Sequence, residues 1–310
     1  MEPMAERFPT DAVVLEGVCK SFGEKVALDE LWLRIPTGSI CGFLGPNGAG
    51  KTTTIRLIIG IFRPDAGQLQ VLGQTDPTRV KHRLGYLPEE KGLYKKMRVR
   101  DLILYFAQLK GMEVGQARQR ADELLATLGL ADWADKKCEA LSKGMGQKLQ
   151  ILISLIHRPE LVILDEPFSG LDPLGRDAMR DLILELRREG RTVIFSTHVM
   201  EQAEQLCDRV VLIDRGRKLV EGPLEEVRAS AGRSVLVETE GTVDWGRLPG
   251  VARVSAADHQ ADLSLAEGAD PQQLLAALVG LARVRRFEVR STSLHEVFVQ
   301  AVGGQIDADI

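Results

Sequence analysis

An α/β core on a mostly parallel sheet, followed by a small α+β domain, is the fold the sequence predicts. Three observations predict it. Short apolar runs with strand character alternate with runs of helical period, one strand opens through a glycine-rich loop onto a helix, and the pattern changes character after about residue 228. Strands that alternate with helices favour a parallel sheet covered by those helices.

The elements follow in chain order. Over residues 12–71 short apolar runs alternate with turn residues, and the run 39–44 enters the glycine-rich loop ahead of the helical pattern 51–59. Apolar residues recur at helical spacing over 98–129 (Leu102, Tyr105, Phe106 and Leu109, then Leu124, Leu125 and Leu128), which predicts a helical subdomain over about 92–158. Strand patterns return at 161–164, 192–196 and 209–213, with a helical run at 174–188 between the first two. The stretch 229–310 reads as a strand at 234–238, two more short strands, a helix at 271–279, a strand at 284–289 and a final helix at 293–302. The predicted organisation is a tail at 1–11, a main domain at 12–228 and an accessory domain at 229–310, joined by a small, polar junction at 229–234.

Composition narrows the function. A chain of 310 residues, 44% hydrophobic and 27% charged, suits two ordinary globular domains. A formal net charge of -4 supplies no basic footprint, and 5% aromatic residues offer few stacking platforms, so nucleic acid is not an expected partner. Cys19, Cys41, Cys138 and Cys207 stand far apart, with no pair at zinc or redox spacing, and read as reduced core residues of a cytoplasmic protein. No window approaches the ~20 apolar residues of a membrane helix. The first residues mix acids with proline and lack the basic and apolar regions of a signal peptide.

GPNGAGKTT at 45–53 (Gly45, Pro46, Asn47, Gly48, Ala49, Gly50, Lys51, Thr52, Thr53) fits the phosphate-loop pattern G-x-x-x-x-G-K-S/T, between a strand and a helix as that pattern requires. Its glycines let backbone N–H groups turn toward phosphate oxygens at the positive end of a helix. Lys51 is placed to reach the β and γ phosphates of ATP, and the Thr52 hydroxyl to hold Mg²⁺. LVILDEP at 161–167 reads as a buried parallel strand ending in two carboxylates. Asp165 then suits the Mg²⁺ shell, and Glu166 suits accepting a proton from attacking water. Alone, such a pair of acids is an ordinary solvated strand end; the phosphate loop gives it the functional reading.

With these motifs in view, residues 12–228 resemble an ATP-binding-cassette (ABC) nucleotide-binding subunit: a P-loop NTPase with a RecA-like core and antiparallel-β and helical subdomains. LSKGM at 141–145 resembles the family signature LSGGQ, SGLD at 169–172 matches the loop after the acidic strand, and STH at 196–198 matches the switch-histidine segment. Taken alone, Ser142 reads as a simple helix N-cap and His198 as a satisfied structural residue. The resemblance implies instead that the segment with Ser142, Gly144 and Met145 faces the γ-phosphate of ATP held by a second subunit in a homodimer or heterodimer, and it places Asp172 among the nucleotide-binding residues. It implies further that His198 contacts the γ-phosphate and helps place the water of Glu166. Phe22 stands 23 positions before Gly45, where the family places an aromatic that stacks on adenine; read alone it is a core residue. Two departures bear on turnover: Glu89, in YLPEE at 86–90, replaces a usual glutamine beside the expected Mg²⁺, and Lys143 and Met145 replace a glycine and a glutamine of the signature. A carboxylate at position 89 still suits a hard cation.

YLPEEKGLY at 86–94, the signature variant, the SLHEVF tail at 293–298 and an extra domain of about 80 residues are similar to bacterial exporters of the daunorubicin-resistance and sodium-efflux kind. The resemblance implies a motor on the inner face of the membrane, driving a permease on a separate chain through the surface at 89–94. Its alternative is a soluble ATP-driven switch on ribosome or DNA; such relatives carry two cassettes or a long coiled coil, and this chain has neither. Lys95, Lys96, Arg98 and Arg100 suit docking near anionic lipid or, equally, an ordinary solvated face.

Overall fold

The structure, a computed structural model, describes residues 11–89, 92–230, 232–241, 243–257, 259–266 and 268–303. Residues 1–10 of the expected tail, Glu90 and Lys91 of the 86–94 segment, and Ala231 of the junction lie outside the described residues. The chain forms two compact units that divide at Lys218/Leu219.

The first unit contains two sheets. Strands β1 (Asp11–Phe22), β2 (Lys25–Pro36) and β4 (Ala66–Val71) pair antiparallel in the order β2-β1-β4. The six-stranded sheet has the order β5 (Leu84–Leu87), β6 (Leu161–Asp165), β7 (Thr192–Thr197), β3 (Ile40–Leu44), β8 (Arg209–Asp214) and β9 (Arg217–Pro223), the last of which runs past the division at Lys218/Leu219. Its pairs from β5 through β8 are parallel. Every residue of β3, β6 and β7 is buried, which is why these strands read as unbroken apolar runs rather than alternating ones. Val13, Leu15, Leu33, Phe43, Ile55, Leu57, Ile163 and Ile194 join both sheets to helix α1 (Lys51–Ile58) in one hydrophobic cluster.

A separate cluster is built by helices α2 (Val99–Leu109), α3 (Val114–Thr127) and α4 (Lys143–Leu155), centred on Leu102, Leu125, Leu149 and Leu152. Helices α5 (Pro173–Arg188) and α6 (Met200–Leu206) complete the connections between strands. No disulfide joins the four cysteines; three are buried, but Cys19 is only half-buried, because a register shift in β1 brings its sulfur to the Glu30 N–H at 3.4 Å rather than into the core.

One half-buried polar knot ties the segment after α4 to β5. The Leu84 carbonyl oxygen lies 2.9 Å from His157 Nε2 and also accepts from Lys110 Nζ at 2.9 Å. Burial holds the His157 imidazole down at about 4, helped by the adjacent Lys110 ammonium, and its Nδ1 has no hydrogen-bond partner among the described residues. Because the folded value lies below the ordinary 6.5, the unfolded chain binds more protons between the two. The resulting stabilisation is complete above pH 6.5 and is lost as pH falls toward 4; a shift of this size corresponds to about 3 kcal/mol. His157→Gln, which keeps an N–H donor, is expected to flatten that part of the stability curve. Urea titrations at pH 7 and pH 5 check it, and an unchanged difference between the two would contradict a neutral buried imidazole.

The second unit holds helix α7 (Leu224–Ser230) and an antiparallel sheet of β10 (Arg233–Glu240), β11 (Val251–Ala257), β12 (Gln260–Leu265) and β13 (Arg283–Ser291), in the order β11-β12-β10-β13. Helix α8 (Pro271–Leu281) buries Leu274 and Leu278 against Val235, Val237 and Leu263. Helix α9 (Leu294–Val302) begins with a reciprocal capping box between Ser293 and Glu296. The division falls before the 228/229 boundary expected from composition because α7 packs with α9, and Arg228 Nε donates to the Thr292 carbonyl at 3.0 Å.

Candidate active site

Three strands deliver the chemistry to one sheet edge. β7 lies between β3 and β6, parallel to both, with Leu44 opposite Thr197 and Asp165 opposite Ser196. The segments leaving all three strands therefore start at their common carboxyl edge, where open parallel sheets place ligands.

After β3 the chain turns through Gly45 at φ 153, where a Cβ would stand 2.1 Å from the Ile213 carbonyl oxygen. Gly50, at φ 113, would place a Cβ 2.8 Å from Leu28 Cδ2 and 2.9 Å from the Ala27 carbonyl oxygen. Neither position admits a side chain, so the motif glycines are dictated by the loop itself. Lys51 opens α1 and is only 6% exposed. Its ammonium donates to the carbonyls of Gly45 at 2.7 Å and Pro46 at 3.0 Å, folding the lysine under the loop. Burial lowers its pKa, while the charges of Glu166, Asp165 and Glu89 oppose that shift.

The loop walls a cavity of about 370 Å³ with Asn47, Gly48, Ala49, Gly50, Lys51, Thr52 and Thr53, joined by Phe22, Lys25, Ala27, Glu89 and Glu166. Phe22 is 46% exposed and is not a core residue. Its ring meets the edge of Phe62, with centroids 5.1 Å apart, and Lys20 Nζ lies 5.5 Å from its centroid. Lys25 and Ala27 escaped the sequence reading; a cation three residues after Phe22 was the available signal.

At the end of β6, Asp165 is 2% exposed. Its Oδ1 accepts from Ser196 Oγ at 2.5 Å and from Thr52 Oγ1 at 3.4 Å, while its buried Oδ2 has no hydrogen-bond partner among the described residues. Glu166 adopts the left-handed conformation at φ 49, and its N–H donates to Ser196 Oγ at 3.0 Å. Its Oε1 lies 3.0 Å from His198 Nδ1, a hydrogen bond that requires the proton on Nδ1. His198 itself is half exposed. Tyr86 stands close by, its phenol pushed up to about 12 by burial, with the Asp165 charge adding to the effect.

Comparison with known proteins decides what this geometry belongs to. The chain is 37% identical over 302 residues to the uncharacterized ABC transporter ATP-binding protein YhaQ of Bacillus subtilis, covering 94% of this chain and 98% of that one. The chain belongs to the ATP-binding subunits of ABC transporters. It is an ATPase of the family that hydrolyses ATP to power transport. The ABC transporter family model matches residues 28–169, and the model for the C-terminal domain of DrrA1-3-like ATP-binding proteins matches 222–302. The daunorubicin/doxorubicin resistance ATP-binding protein DrrA of Streptomyces peucetius is 34% identical, covering 96% of this chain and 94% of its own. The Nod factor export ATP-binding protein I of Burkholderia lata is 33% identical, covering 96% and 99%. Among solved structures, an ATP-binding subunit of an ABC transporter superposes with a TM-score of 0.66 at 29% identity, over 70% of this chain and 92% of its own.

Four of the ABC motif residues lie away from the phosphate-loop cavity. Ser142 caps α4 by accepting from the Met145 N–H at 3.3 Å, and Asp172 caps α5 by accepting from the Gly175 N–H at 2.8 Å. Met145 packs against the α2–α4 cluster, which accounts for an apolar residue in place of glutamine. Gly144 opens onto free space. Gln147, which sequence reading passed over, is buried in α4 and its Nε2 donates to the Pro167 carbonyl at 2.6 Å, tying the helix to the segment after Glu166. Of the basic cluster, Arg100 is held by Asp122 and Asp135.

Proposed function

We propose that the chain is the motor of an exporter, hydrolysing Mg²⁺-bound ATP on the inner face of the membrane for a permease carried on a separate polypeptide. The observation that carries this reading is the convergence of the phosphate loop, Asp165 and the Glu166–His198 pair at one sheet edge. Among the described residues no helix is long and apolar enough to cross a membrane, so we assign the spanning path to the partner. The relatives named for Nod factor export and drug resistance support the outward direction.

The residues divide the work by chemistry. Backbone N–H groups of 45–53 and the Lys51 ammonium bind the phosphates. The unpartnered Oδ2 of Asp165, with the Thr52 hydroxyl nearby and Glu89 on the cavity wall, is an oxygen set that fits Mg²⁺. Held by those oxygens, Mg²⁺ would offset negative charge on the β and γ phosphates. Glu166 takes the proton of the attacking water, and His198 holds that carboxylate and reaches toward the γ-phosphate. Ser142, Gly144, Met145 and Asp172 of one copy complete the site of a second ATP-binding subunit, identical or related, which explains their distance from the chain's own cavity. ATP closes this dimer and hydrolysis releases it.

Phe22 presents its exposed ring to adenine. Phe22→Ala is expected to weaken ATP binding by ~1–3 kcal/mol, roughly 5- to 150-fold, with a similar loss for GTP because stacking does not read the base edge. Titration of fluorescent nucleotides measures it, and unchanged affinity would remove Phe22 from the site. The function itself is tested by gentle purification from membranes of the native host with ATP and Mg²⁺, followed by mass spectrometry. A polytopic membrane protein is expected to copurify; ribosomes or DNA in its place would overturn the transport reading.

A further inference from the structure

β7 runs through the centre of the sheet, and Val193, Ile194 and Phe195 on it are completely buried. Ser196 is equally inaccessible at 0% exposure, and a hydroxyl in such a place is costly unless it is bonded. Its oxygen uses its capacity on two consecutive residues of the neighbouring strand end: the hydroxyl donates to Asp165 Oδ1 at 2.5 Å and accepts the Glu166 N–H at 3.0 Å. One atom thus connects the carboxylate assigned to Mg²⁺ with the backbone of the carboxylate assigned to water.

Both bonds have consequences that a passive buried hydroxyl lacks. Holding Asp165 by Oδ1 fixes the direction of Oδ2, the oxygen left buried and unpartnered. Glu166 sits at φ 49, a conformation a non-glycine residue adopts only where its surroundings enforce it, and the bond to its N–H is such an enforcement. That turn sets where the side chain leaves the strand, and so its approach to His198 Nδ1 at 3.0 Å. The placement follows from register, since Ser196 stands directly opposite Asp165 in the β6–β7 pairing.

We propose that Ser196 is a positioning residue for ATP hydrolysis, aligning Asp165 toward Mg²⁺ and Glu166 toward water through a single hydroxyl. The proposal rests on the roles given to those two acids, and the experiment separates the two levels.

Ser196→Ala removes the hydroxyl with almost no change of volume, and Ser196→Thr restores it. Steady-state ATPase rates are measured against ATP and against Mg²⁺, alongside melting temperatures of the free protein, of protein with ATP and EDTA, and of protein with Mg²⁺ and ATP. The alanine variant is expected to lose about tenfold or more in kcat with KM for ATP nearly unchanged. It is also expected to need severalfold more Mg²⁺ for half-maximal rate, and to lose most of the extra thermal protection that Mg²⁺ adds over ATP with EDTA. Threonine should recover kcat and the Mg²⁺ dependence. Wild-type kcat and Mg²⁺ dependence in the alanine variant overturn the proposal. So does a loss of rate that only tracks a lower melting temperature of the free protein, with the Mg²⁺ response intact. Undiminished hydrolysis in both Asp165→Asn and Glu166→Gln overturns the underlying assignment of the acids, whatever Ser196 does.

Discussion

Replacing Glu166 by glutamine is expected to slow ATP turnover by ~10²–10⁴ while leaving ATP bound. The amide has nearly the same size and shape, so the side chain keeps its place on the cavity wall, and the backbone N–H of residue 166 keeps its bond to Ser196 Oγ. What disappears is the ability to take a proton. The amide oxygen can still accept from His198 Nδ1, which preserves the 3.0 Å contact and confines the change to proton transfer. Single-turnover hydrolysis, compared with equilibrium nucleotide binding on the same preparation, reads the two effects separately. Hydrolysis at the wild-type rate would withdraw Glu166 as the base. Weakened binding of the same magnitude as the rate loss would show that the carboxylate acts in the ground state instead.

The parts of the site legible in the sequence are those where local backbone dictates residue type. Gly45 and Gly50 are readable because the turn they form leaves no room for a Cβ, and Lys51 because a helix must begin directly after that turn. The acids at 165 and 166 were marked by the apolar run before them, since a strand buried on both faces has nowhere else to place charge than its end. In the second unit, the reciprocal Ser293–Glu296 capping box that starts the last helix is a local device of the same kind, although it is not what marks 293–302 as a helix.

What the sequence left open depends on contacts between segments distant along the chain. Phe22 reads as core from its apolar ring alone; its exposure follows from its position at the hairpin end of β1, next to β2. Ser196 looks like an ordinary strand residue until the β6–β7 register sets it opposite Asp165. Gln147 and His157 likewise carry no pattern, because their partners, the carbonyls of Pro167 and Leu84, belong to other elements and backbone acceptors are invisible in a sequence. The change of composition comes near 228, after α7, whereas α7 packs with α9 in the second unit and the structural division falls at 218/219.

Lys51→Met should affect binding and hydrolysis together, which sets it apart from the glutamine variant. Methionine matches the length of the lysine stem and suits a site only 6% exposed, so the core beneath the loop has no cavity to fill. The carbonyls of Gly45 and Pro46, however, lose the donor that reaches them at 2.7 and 3.0 Å. The cavity also loses the cation that Glu166, Asp165 and Glu89 surround, so uncompensated negative charge meets an incoming polyphosphate. Removing one preorganised charge-stabilising donor from an active site costs ~10²–10³ in rate. In the proposed function the same ammonium also contacts the phosphates before reaction, so nucleotide affinity should fall as well, with both losses visible in kcat/KM. Arginine cannot substitute, because its planar fork demands space and acceptor directions that two carbonyls under a closed loop do not offer. Fluorescent-nucleotide titration and steady-state hydrolysis of the methionine and glutamine variants, side by side, separate the roles: tight binding without turnover for Glu166→Gln, and loss of both for Lys51→Met. A methionine variant that binds ATP normally would mean that the ammonium holds the loop rather than the phosphates.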